Sequence, residues 1–148
     1  MVGKDGKIMM KPLAEIIGKY LGQPFKLGGR GDGGWGCIDL CYAIMKDLGK
    51  NPPDVVMGWK INCYEVQVGE DKELQHRGLL ETTMNLGTHV ERENLVPGDF
   101  VLVKTVKGGL LTSVYCGHGR VITSQLGIGV SILPLDHNNW ILEARRFS

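Results

Sequence analysis

The feature that most limits what this chain can fold into is a change of period near Leu95. Beyond "LVPGD", residues 95–99, the sequence is a succession of short β-branched runs: "FVLVKT", "LLTSVYCG", "RVITSQ", "GVSILPL" and "WILEARRF". Turns built from Gly, Asp and Asn separate them, a pattern that predicts antiparallel strands of one small curled sheet. Before the change the period is helical. "KPLAEIIGKYLG" places Leu13, Ile16, Ile17, Tyr20 and Leu21 on one stripe between Pro12 and a closing Gly22. "CIDLCYAIMKDLG" does the same with Ile38, Cys41, Tyr42, Met45 and Leu48, and Gly49 supplies the stop. Helices first and strands afterwards predict an α+β domain with N-terminal helices packed on the sheet. After the break at "NPPD", the stretch from about Val55 to Leu86 reads as two helical pieces, with Gly78 weakening the second. Tyr42 and Trp140 are expected in the core.

At 148 residues the chain has the length of one domain. Residues 1–10 read as an N-terminal arm and residues 11–148 as the folded unit. Seventeen Lys and Arg against sixteen Asp and Glu leave a net charge of +1 without any charge run, which argues against nucleic acid and membrane surfaces as partners. No apolar run is long enough for membrane insertion. The amino end, "MVGKDGKIMMKP", lacks the apolar core of a signal peptide, so synthesis in the cytoplasm is expected. Four cysteines are present, Cys37, Cys41, Cys63 and Cys116, with no CxxC pair. Cys37 and Cys41 could share a metal ion, but no second closely spaced pair completes a ligand set, and neither a metal nor a cofactor is expected.

The candidate functional feature is "GGRGDGGWGCIDL", residues 28–40, where glycines crowd up to Cys37 at the start of a helix. A thiol there meets free backbone N–H groups and the positive end of the helix dipole, which favour the thiolate. Cys37 therefore reads either as a nucleophile or as a small buried hydrophobe. The glycine run lacks the Lys-Ser/Thr ending of a phosphate-binding loop. Its "RGD" tripeptide, Arg30–Asp32, is given no role.

The ordered set "YLGQPFKLGGRGDGGWGCIDL", "LVPGDFVLV" and "VYCGHGRVITS" resembles the NlpC-type cysteine peptidases, papain-like enzymes that cut the peptide stems of bacterial cell wall. The likeness runs from about Leu13 to Phe147. "GWGC" leading into a helix and then "LGKNPPD" resembles the branch carried in phage tails. The resemblance implies Cys37 as the nucleophile, with Gly36 replacing the usual Asp before it and so removing a capping side chain. It also implies a histidine base on the strand before "YCGHGR" and an orienting polar residue on the next strand. Counting back places the base position at Leu111, or at Thr112 with a one-residue shift. Counting forward places the orienting position at Thr123 or Ser124. None of these is an imidazole.

Four histidines could stand in: His76, His89, His118 and His137. His118 falls in a hairpin turn, about 23 Å along the strand from Leu111, far outside the reach of a general base. No spacing recommends the other three. Losing a residue that acts as a unit with the nucleophile costs about four to six decades in rate, or roughly 6–8 kcal/mol of transition-state stabilisation. The resemblance then implies a catalytically inactive structural or binding component, with Cys37 vestigial and Trp35, Thr112 and Thr123 lining its binding surface. Its partners would be other phage tail proteins or peptidoglycan stem peptides, and its final location a virion tail. The alternative is an active thiol peptidase or amidase whose histidine is relocated or supplied by a partner chain.

Overall fold

The structure, a computed structural model, describes residues 13–26, 29–52, 87–106 and 109–147. The N-terminal arm, the two helical pieces expected before Leu86, and Trp59, Cys63 and His76 lie outside the described residues. Helix α1 spans Leu13–Tyr20 and α2 spans Cys37–Asp47. Six strands follow: β1 (Thr88–His89), β2 (Phe100–Thr105), β3 (Leu110–Gly117), β4 (Arg120–Gln125), β5 (Gly129–Pro134) and β6 (Asn139–Arg146). They form one sheet in the order β1-β6-β2-β3-β4-β5, antiparallel at every pairing. The expected α+β architecture is therefore present. The short β1 was not expected; two exposed residues carry no period to read.

Alternation along the strands divides the apolar residues between two faces. Leu110, Val114, Ile122, Val130, Phe100 and Leu102 face the helices and pack with Ile16, Tyr20, Ile38, Leu40, Cys41, Ile44 and Met45. Val101, Val103, Val121 and Ala144 form a second cluster on the other face, with Leu111, Tyr115, Leu133, Leu135 and Ile141 against it.

Trp140 departs from the expectation of a core residue: it is 37% exposed. It lies on β6, paired with Lys104 of β2 and two strands from β3, while α2 packs chiefly over β3 and β4. Tyr42, also expected in the core, is half-buried.

The "PGD" turn enters the sheet as expected of a structural turn. Asp99 is fully buried and accepts from Val96 N–H at 2.9 Å and from Arg146 Nε and Nη2, each at 2.8 Å.

Candidate functional site

The glycine run before α2 is a tightly bonded loop. It folds back on the segment after α1: Trp35 N–H donates to Pro24 O at 2.9 Å, Lys26 N–H to Trp35 O at 3.2 Å, and Gly36 N–H to Gly29 O at 3.1 Å. Gly34 holds φ at +150°, and a side chain there would stand 2.6 Å from Pro24 O. Only glycine fits that approach. The loop delivers Cys37 to the first position of α2. Gly36, the N-cap, makes no side-chain cap bond, as its lack of a side chain requires. The Cys37 residue is 2% exposed.

Across from α2, the register of β3 sets the two candidate base positions on opposite faces. Leu111 belongs to the far face, packed with the second cluster. Thr112 lies on the helix-facing row with Leu110, Val114 and Cys116. It stands close enough to the Cys41 thiol, one helical turn from Cys37, to work against the upward pull that burial exerts on that pKa. Its Oγ1 is buried and meets no partner of hydrogen-bond geometry among the described residues. On β4, Ile122 faces the helices and Val121 the far cluster, so Ser124 shares the helix-facing row while Thr123 turns away. Ser124 Oγ donates to Trp35 O at 2.7 Å, which ties β4 to the loop that starts α2. Thr123 Oγ1 donates to Thr112 O at 2.8 Å, between neighbouring strands. Continuing the Val114–Ile122 pairing by two residues sets Ser124 opposite Thr112. Cys37, Thr112 and Ser124 thus share one face, and Leu111 and Thr123 do not.

This face carries a thiol and two hydroxyls. A hydroxyl donates and accepts hydrogen bonds, but it is no proton acceptor for a thiol near neutral pH. The two neighbouring thiols are inert: burial pushes Cys41 well above the usual range, with Cys37 adding to the effect, and burial pushes Cys116 up to about 11. Both serve as small hydrophobes.

Three of the four histidines are placed, and all are exposed. His118 occupies the β3–β4 turn at φ +55°. That turn lies toward the C-terminal end of α2: Gly98 N–H bonds Tyr115 O at 2.9 Å, and Gly98 also packs against Leu48. Six strand residues separate His118 from Thr112, about 20 Å. His137 sits in the β5–β6 turn. His89 stands on the edge strand β1, three strand spacings or about 14 Å across the sheet from β3. Its Nδ1 meets Glu143 Oε1 at 2.5 Å and its Nε2 meets Glu91 Oε1 at 3.2 Å. The hydrogen bond to Glu143, first, and that to Glu91 raise its pKa.

Trp35 is an anchor. Its indole N–H donates to Gln23 Oε1 at 2.7 Å, and its ring meets Tyr20 edge to face at 5.1 Å. Arg30, to which the sequence assigned no role, donates from Nε to Asp39 Oδ1 at 2.9 Å, and Asp39 is 4% exposed in its side chain. The sequence signal for this pair was an acidic residue in the first turn of α2, but the partner, nine residues back through a loop, has no spacing rule. Arg30, Trp35 and Asp39, with Tyr42, Ala43, Lys46 and Asp47, line an open pocket of about 230 Å³.

The NlpC/P60 family model matches residues 22–147. The chain is 22% identical over 138 residues to the probable endopeptidase NlpC of Escherichia coli, which covers 92% of this chain and 75% of that protein. An NlpC/P60 family protein from Bacillus cereus superposes with a TM-score of 0.58 and 23% identity over 95% of this chain, which spans only 42% of that larger protein. The P60 domain of an antigen from M. avium subspecies paratuberculosis gives a TM-score of 0.53 at 16% identity, covering 90% of each chain. At such identities the solved structures speak to the fold alone.

Proposed function

The chain belongs to the NlpC/P60 family, and on that premise we propose that it is a degenerate member, a structural or binding component that does not hydrolyse peptide stems. The observation that carries this reading is Thr112. It occupies the helix-facing row of β3 across from α2 and is, with Leu111, one of the two positions to which the family resemblance assigns the imidazole; neither an alkyl group nor a hydroxyl can take the thiol proton or return it to the leaving amine. The burial of Cys37 supports the same reading, because a nucleophile must meet its carbonyl. Incorporation into a phage tail is supported by "GWGC" and "LGKNPPD", the features that resemble the phage-tail branch. Its partners are then other tail proteins or the stem peptides that its relatives' fold is used to engage.

Co-sedimentation with insoluble peptidoglycan tests the binding role. Wild type and Cys37→Ala should sediment to the same extent, since binding does not draw on the thiol. Sedimentation of neither, together with no association with purified tail proteins, sinks the proposal.

A second reading keeps Cys37 as the nucleophile of an active thiol peptidase. It is favoured by the placement of Cys37 at the first position of a helix. With His89, His118 and His137 placed away from that end of α2, the imidazole falls to His76 or to a partner chain. His76→Ala would then abolish Cys37-dependent cleavage, and an unchanged rate would reject that histidine.

A further inference from the structure

The pocket beside α2 is lined by two cations, Arg30 and Lys46, and two carboxylates, Asp39 and Asp47. Its two carboxylates are already engaged: Asp39 by Arg30 at 2.9 Å, and Asp47 by the Tyr20 hydroxyl and by Lys19 Nζ at 3.3 Å. Among the described residues, the Arg30 Nη groups, Lys46 Nζ and the Tyr42 hydroxyl engage nothing, and all three residues line the cavity. Both cations of the pocket thus keep unused donors, while each carboxylate is engaged through one oxygen, Asp39 Oδ1 and Asp47 Oδ2. Trp35, Tyr42 and Ala43 supply an apolar wall beside them. Asp39 fixes Arg30 from below through Nε, leaving the outer edge of the guanidinium to present paired N–H donors, the geometry that suits a carboxylate.

We propose that this pocket binds the free carboxylate of a peptide terminus, with the adjoining apolar side chain resting on Trp35 and Ala43. At about 230 Å³ the cavity is smaller than the roughly 300–1,000 Å³ of a typical small-molecule site, so it holds one end of a longer molecule. It is also separate from the cysteine. At about 100° per residue, Asp39, Tyr42, Ala43 and Lys46 lie roughly 140–240° around α2 from Cys37, on the side turned away from the sheet. The pocket therefore binds its ligand whether or not the thiol is active, and the outcome of a hydrolysis assay has no bearing on it.

The test is a titration of the full chain, labelled with nitrogen-15, followed through the Trp35 indole and Ala43 amide resonances. The probes are N-acetyl-alanyl-alanine as the free acid, the same dipeptide as its carboxamide, and inorganic phosphate. The acid should produce saturable shifts at millimolar concentration, and the amide should bind at least about tenfold more weakly, a difference of about 1.4 kcal/mol. Lys46→Gln should weaken the acid about threefold or more; Arg30→Gln should do the same, but it also strips Asp39 of its partner, so Lys46→Gln, at an exposed and unpaired residue, decides the matter. Equal binding of acid and amide, absence of any saturable shift, or no effect of Lys46→Gln would overturn the proposal. Phosphate binding as tightly as the acid would overturn the peptide assignment in favour of a general anion site.

Discussion

Asp99 shows how much one side chain can hold. It has no exposed surface and joins the turn at Val96 to β6 through Arg146. Breaking a buried ion pair from one side costs about 3–5 kcal/mol, but the Arg146 side chain is 40% exposed, so water shares its loss. Asp99→Ala should therefore destabilise the fold by about 2–3 kcal/mol in a denaturant titration, and a change under about 1 kcal/mol contradicts this role. The turn itself was legible as "PGD", while the Arg146 partner was not, because contacts 47 residues apart leave no local signal. Thr112 shows the same limit. Counting residues left Leu111 and Thr112 both open, since a slip of one residue moves a side chain to the other face. The packing of Leu111 with the second cluster, and of Leu110 and Val114 in the helix-facing core, shows which face each takes.

Among the elements, α2, β2, β3 and β4 were legible because each buries a stripe or face that the hydrophobic period records, while β5 and β6 were legible from their β-branched runs between turns. Strand β1 was not, since its two exposed residues bury no stripe. His89 on β1 places both ring nitrogens against carboxylates, Glu143 and Glu91, with Arg145 beside Glu143. A neutral imidazole has one N–H and can satisfy only one of these contacts as a donor, so the arrangement calls for the protonated ring. The His89 pKa is raised in the fold, chiefly by Glu143. The stabilisation is then full below the unfolded value of about 6.5 and is lost as the pH climbs through the higher folded value. The stability difference between wild type and His89→Gln should shrink as pH rises from about 5.5 to above 8, measured by thermal or denaturant unfolding. A difference that stays constant across that window, or grows, rejects the contact as a protonated one.

At the scale of the whole molecule, one sheet serves two cores, and the helix-facing core holds the cysteine of an NlpC/P60 fold. The helical first part and stranded second part were visible in the sequence, and they suffice to specify the layers. The sequence shows the glycine run only as a turn leading up to Cys37; the structure makes it the strap that sets α2 and closes one side of a pocket, through backbone bonds that no side-chain pattern announces. The molecule keeps the shell that presents a thiol at a helix start, while the strands facing it offer Thr112 on β3 and Ser124 on β4. The most direct measurement of that account is the release of soluble stem-peptide fragments from purified peptidoglycan, quantified by mass spectrometry for wild type and Cys37→Ala side by side. The two should release the same background amount, and wild-type release exceeding one product per protein molecule and absent from Cys37→Ala contradicts the account.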